Sequence, residues 1–132
     1  MFVKSWTESK KEQPSTNLSM NYEIIPTKTF KRDFKSLFKK YRSLLDDLEE
    51  FKNELLKNPN MGDDLGNNTR KIRMAIASKN KGKSSGARVI TFDVVIDFNN
   101  TDIYLLTIYD KSEQDTISRR EIELLKQENG LV

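Results

Sequence analysis

Residues 70–97 read RKIRMAIASKNKGKSSGARVITFDVVID, and the way this stretch divides decides the fold. In RKIRMAI, Ile72, Met74 and Ile76 alternate with Lys71, Arg73 and Ala75. Side chains on a strand point to opposite faces in turn, so this segment buries the first set and presents the basic pair on the other side. ARVITFDVVID carries apolar residues at odd and even positions alike, which suits a central strand covered on both faces. Between them, KNKGKSSGAR holds three lysines, an arginine, two glycines and two serines with no acid. Its Gly82-Lys83-Ser84 has the ending of a phosphate-binding P-loop. That motif needs a glycine where Ala77 stands, however, and must open a helix rather than a strand. The stretch therefore reads as two hairpin strands joined by a long cationic loop.

Upstream, NYEII ends at Pro26 as a short strand, and Thr27 or Thr29 caps the helix after it. Phe30, Phe34, Leu37, Phe38, Tyr41, Leu44, Leu45, Leu48, Phe51 and Leu55 recur at steps of three and four, the stripe of an amphipathic helix, and Pro59 ends it. The stripe is long for one helix in a small domain, so a helical hairpin is expected, turning near Arg42 with Ser43 as the second cap. NPNMGDDLGNN is rich in turn formers. Downstream, Asn99-Asn100 supplies a turn and DIYLLTIYD returns as the partner of the central strand. Ser118 and Glu121 have the spacing of a capping box before IELLKQEN, and Gly130 can end that last helix. The expected class is α+β: an N-terminal strand, a helical hairpin packed on a small antiparallel-dominated sheet, and a C-terminal helix. Residues 1–20, polar and broken by Pro14, are expected to form a flexible extension, leaving residues 21–132 as the domain.

The 132 residues, 36% hydrophobic and 33% charged, fit one soluble domain; no apolar run is long enough for a membrane span, and a cytoplasmic location is expected. Zero cysteines exclude disulfides and thiolate zinc sites. Zero histidines remove the side chain most used for acid-base chemistry near neutral pH. Any catalysis must use Lys, Arg, Tyr or carboxylates. The net charge of +3 is modest but unevenly placed: residues 66–92 contain no acid and carry Arg70, Lys71, Arg73, Lys79, Lys81, Lys83 and Arg88, whereas Asp46, Asp47, Glu49, Glu50, Glu54, Asp63 and Asp64 crowd the preceding segment. That asymmetry points to an anionic ligand.

If the two strands are hairpin neighbours, Lys71, Arg73, Arg88 and the loop lysines meet at one site suited to a phosphodiester backbone. Guanidinium groups donate paired hydrogen bonds to phosphate oxygens, and lysines add charge. The plainer alternative is that Gly, Ser and Lys keep a long loop solvated. Crowded like charges favour proton loss from a lysine, which makes Lys71 the candidate base for activating a ribose 2'-hydroxyl, with arginines stabilising charge on the phosphate. Tyr104 and Tyr109 are expected on opposite faces of their strand, the latter beside Asp110 and Lys111 and equally readable as a half-buried strand aromatic. The carboxylates Asp46, Asp47, Glu49 and Glu50 fall on the polar side of the helical stripe. Asp93 and Asp97 on the central strand are harder to set aside, although turn-flanking and partner-facing roles account for them.

Over residues 21–129 the chain resembles the RelE/ParE superfamily of bacterial type II toxins, most closely its RelE/HigB-like branch. The segments RKIRMAI, KGKSSGARVI and IYLLTIYDKSE and the IS…E start of the terminal helix carry the resemblance. It implies a ribosome-dependent mRNA endonuclease that cleaves by 2'-hydroxyl attack without metal or other cofactor, held inactive by a cognate antitoxin, often of helix-turn-helix type. By this resemblance Lys71, Arg73, Arg88 and Lys111 take the family's basic positions; from their charge and their place in the acid-free segment, Arg70, Lys79, Lys81 and Lys83 are expected to hold RNA. The chain departs from well-known members at Ser112, where they place an arginine, and near Ile117, where they place a tyrosine; Tyr109 and Lys111 are then the substitutes for the general acid. The ParE side of the superfamily inhibits DNA gyrase with the same fold. A non-catalytic inhibitor or RNA-binding module is therefore the alternative.

Overall fold

The computed structural model of the protein describes residues 20–80 and 82–132; the expected extension, apart from Met20, and Lys81 lie outside the described residues. In order along the chain come β1 (Asn21–Pro26), α1 (Lys28–Phe38), α2 (Leu44–Lys57), β2 (Asp63–Gly66), β3 (Thr69–Met74), β4 (Ala87–Asp97), β5 (Asn100–Asp110) and α3 (Arg119–Glu128). The sheet order is β1-β5-β4-β3-β2, with β1 parallel to β5 and every other pair antiparallel. The α+β layout expected from the pattern is the one observed.

Local chemistry sets the ends of the elements. Thr27 accepts the Phe30 N–H at 3.1 Å and caps α1, while its hydroxyl donates to the Leu105 carbonyl at 2.8 Å and ties the cap to β5. Ser43 stands at the start of α2, as its position suggests, but its hydroxyl donates to Asp47 at 2.7 Å instead of accepting from the helix. Ser118 and Glu121 form a full capping box. At the other end of α3, Gly130 takes φ +70, the Gly130 N–H reaches the Gln127 carbonyl and the Leu131 N–H reaches that of Lys126, the paired closure of a Schellman motif.

The sheet is covered on both sides. The α1–α2 pair packs Phe30, Phe34, Leu44, Leu48, Phe51 and Leu55 against Ile72, Met74, Val89, Ile103 and Leu105. The opposite face gathers Ile90, Leu106 and Tyr109 under Ile122 of α3, with Phe92, Tyr104 and Ile117 around them. β4 is thus buried on both faces over its first half, which explains its unbroken apolar run. None of the helices among the described residues is long and apolar enough to cross a membrane.

Two features depart from the reading of the sequence. Residues 63–66 form β2, hydrogen-bonded to β3 across a turn in which Asn67 and Asn68 take φ +51 and +58. Asparagine tolerates that left-handed conformation, and successive residues of this kind make the tight hairpin turn that matches strand twist. The second departure is a bulge. Ile90 pairs with Thr107 but Thr91 pairs with Leu105, so Leu106 is an extra residue in β5. One inserted residue reverses the alternation beyond it. Tyr104 and Tyr109, five positions apart, therefore both pack against the α3-side cluster instead of facing opposite ways.

Candidate nucleic-acid interface

The hairpin register aligns the basic residues. Arg73 of β3 lies opposite Arg88 of β4, and Arg88 lies opposite Tyr109 of β5, one row across three strands. Residues directly opposite share a face with Cβ atoms about 5 Å apart. Lys71, opposite Ile90, lies on the same face one pleat away.

Access divides this row. Arg73 is exposed, and no hydrogen bond or ion pair with the described residues holds its guanidinium. Lys71 is half-buried, with Asp63 of β2 as its cross-strand neighbour. Arg88, by contrast, is only 6% exposed and donates to three main-chain carbonyls: Nη1 to Lys83 and to Ala87, both at 3.2 Å, and Nη2 to Ser84 at 3.0 Å. It fastens the cationic loop to the sheet. Tyr109 is 7% exposed and its hydroxyl is buried without a hydrogen-bond partner among the described residues. Burial pushes this phenol up, with Asp115 and Glu121 acting in the same sense against the charge of Arg88.

A groove of about 640 Å³ runs along the outer side of β3, lined by Lys57 of α2, Lys71, Arg73 and Lys83, with Glu54 and Asp63 as its acids. Gly62 makes the close approach there possible: at φ +91, a Cβ on it would come within 2.6 Å of Ile72 Cγ1 and 2.8 Å of the Lys71 carbonyl oxygen. At the other end of the row, Lys111 hydrogen-bonds and ion-pairs with Asp115. The hydrogen bond from Lys111 holds the Asp115 carboxyl below its ordinary value, and the charges of Lys111, Lys71 and Arg88 add to this. Lys71, Arg88 and Lys111 thus act together on one exposed carboxylate.

The loop itself is not a free arm. It contains two short 3₁₀ turns, Ala77–Lys79 and Lys83–Ser85, and is fastened at both ends. Ser78 exchanges hydrogen bonds with Ser43, and the Ala77 N–H reaches Asp47 at 3.1 Å. Lys79 is turned inward: its ammonium donates to Asp110 at 2.8 Å, to the Ser85 carbonyl at 2.7 Å and to Ser112 at 3.3 Å. Asp110, 1% exposed, also accepts from Tyr41 at 2.5 Å and from the Ser112 hydroxyl at 2.7 Å. Burial alone would push its carboxyl up, but the hydrogen bonds from Lys79, Tyr41 and Ser112 outweigh it and hold the group well below the ordinary carboxylate range.

Of the residues expected to hold RNA, Lys83 reaches the groove, Lys79 is committed to Asp110, and Lys81 lies outside the described residues. Arg70 alternates to the opposite side of β3 from Lys71 and Arg73 and donates to the Asn60 carbonyl at 3.1 Å, so the strand parts it from the row. Asp97 accepts from the Asn99 N–H and the Asn100 amide, both at 2.9 Å, as a turn residue does. Asp110, Lys57 and Glu54 had no local signal in the sequence; an isolated acid at a strand end shows its importance only once Tyr41 and Lys79, 69 and 31 positions away, converge on it.

The orphaned Tyr109 hydroxyl gives a direct test. A buried polar group without a partner costs about 1–3 kcal/mol, so Tyr109→Phe is expected to leave the fold as stable or more stable in urea denaturation. A clear loss of stability would show that the hydroxyl has an acceptor in solution.

The chain matches no protein-family model.

Proposed function

We propose that the protein is a toxin of the RelE type that binds mRNA along the β3 groove and cleaves it by internal attack of a ribose 2'-hydroxyl on the adjacent phosphorus. The observation that carries this reading is the convergence of Lys71, Arg73 and Lys83 on one groove, with Arg88 fastening the loop above it. Four lysines and arginines against two carboxylates make that groove complementary to a phosphodiester, and the exposed guanidinium of Arg73, unpaired among the described residues, suits the grip on its oxygens.

In this reading Lys71 takes the proton of the 2'-hydroxyl as the new P–O2' bond forms. Arg73 stabilises the charge on the non-bridging oxygens, and Lys111 gives a proton to the departing 5'-oxygen as the P–O5' bond breaks. The products are a 2',3'-cyclic phosphate and a 5'-hydroxyl end. Lys111 is preferred to Tyr109 as the donor because it is the more accessible, with a third of its side chain exposed against 7% of Tyr109. Arg88 and Tyr109 form the floor: Arg88 positions the loop, and the Tyr109 ring packs between the sheet and α3.

Induced expression followed by mapping of 5' ends on cellular mRNA tests this reading. The expected result is new 5'-hydroxyl ends inside coding regions together with growth arrest. Arrest with intact mRNA and relaxed plasmid DNA would replace it with gyrase inhibition.

A further inference from the structure

Lys83 leaves the tip of the cationic loop and crosses to α2, where its ammonium stands 3.4 Å and 3.3 Å from the two carboxylate oxygens of Glu54. Both partners are about half exposed, at 52% and 49% of their side chains. The two residues lie on opposite walls of the β3 groove, and Lys57, one helical turn beyond Glu54, lies on the same wall as Glu54. An ion pair this exposed is weak, because water competes for both charges and two long side chains must be held in place. It is therefore a contact that a stronger anion can displace.

Resting on the reading of the groove as an RNA site, we infer that Glu54 and Lys83 form a displaceable clasp across it, and that Lys57 continues the phosphate track onto α2. When single-stranded RNA enters, a backbone phosphate replaces the Glu54 carboxylate on Lys83, and the next phosphate toward α2 meets Lys57. Glu54 then acts as an internal competitor. It occupies the loop cation of the groove until a polyanion arrives, which discriminates against isolated small anions that bring too few charges to open the clasp.

The inference makes opposite predictions for two neighbours on one helix. Removing the competitor in Glu54→Gln frees Lys83 and should tighten RNA binding about two- to fivefold, whereas Lys57→Gln should weaken it and reduce the slope of log K against log salt by about 0.7, one single-strand phosphate contact. Fluorescence anisotropy on a labelled, uncleavable 2'-O-methyl oligoribonucleotide reads both, with circular dichroism to show that these surface variants keep the fold. Lys83→Gln supplies the closing control: in that background Glu54→Gln should have little further effect, because the cation it restrains is gone.

Unchanged or weaker binding by Glu54→Gln, or an unchanged slope for Lys57→Gln, overturns the clasp. Two failures are separable. If the unaltered protein does not bind the oligoribonucleotide or ribosomes at all, the RNA reading falls and takes the clasp with it. If it binds and Arg73→Ala weakens the binding while Glu54→Gln and Lys57→Gln do nothing, the RNA reading stands and only the clasp is lost.

Discussion

Asp110→Ala is expected to lower the stability of the protein by about 3 kcal/mol, the low end of what removing one partner of a buried ion pair costs. The carboxylate holds Lys79, Tyr41 and Ser112 at once, and without it Lys79, whose side chain is only 12% exposed, loses its counter-charge. Lys79 also keeps its hydrogen bond to the Ser85 carbonyl, which holds the loss to the lower end of that range. Urea denaturation should show the midpoint falling by about 1–2 M with little change in slope. Hydrogen exchange should also rise in the loop around Lys79 and Ser85, because the network ties that loop to the end of β5. A midpoint within experimental scatter of the original would show that the network contributes nothing net.

Acid stability carries the same signature. The folded Asp110 carboxyl titrates below the ordinary value of 3.8, so deprotonation favours the folded state. Its contribution is complete above about pH 5 and drains away as the pH falls through 3.8 toward the depressed folded value. The stability gap between the protein and Asp110→Ala should therefore narrow on acidification from about pH 5 to about pH 3. A gap that stays constant through that window would contradict the assignment.

How much of this was legible in the sequence depended on the range of the signal. The α1–α2 stripe, the Thr27 cap and the Ser118–Glu121 box are local patterns, and each lies where its spacing put it. The alternation in β3 correctly separated Lys71 and Arg73 from Ile72 and Met74, because a buried face punishes a one-residue slip. β2 has no signature in the sequence because Asp63-Asp64-Leu65-Gly66 contains one apolar residue and three poor strand formers; its place in the sheet comes from pairing with β3 and from the two left-handed asparagines. The bulge at Leu106 is set by strand pairing and leaves no mark on composition, yet it moved Tyr109 to the face of Tyr104. The loop illustrates the same limit. Its charge was plain, but the inward commitment of Lys79 comes from Asp110, which reads as an ordinary strand-end acid until the chain is folded.

Arg73→Ala is expected to abolish growth arrest and to slow mRNA cleavage by about 10²–10³-fold, the usual cost of losing one donor aimed at developing charge. The reason to choose Arg73 over Arg88 lies in what each guanidinium already does. Arg88 is committed to the carbonyls of Lys83, Ala87 and Ser84, and its loss would release the loop as well as a cation. An inactive Arg88→Ala variant is therefore ambiguous between chemistry and folding. Arg73 is exposed, so its replacement should leave stability within about 0.5 kcal/mol. Loss of cleavage with an unchanged urea midpoint can then only be assigned to the site. Arg73→Lys keeps the charge but not the planar pair of donors, and should restore binding better than it restores rate, since a point charge attracts the phosphate without bridging two of its oxygens. Full growth arrest by Arg73→Ala would remove the basic row from the reaction and with it the proposed activity.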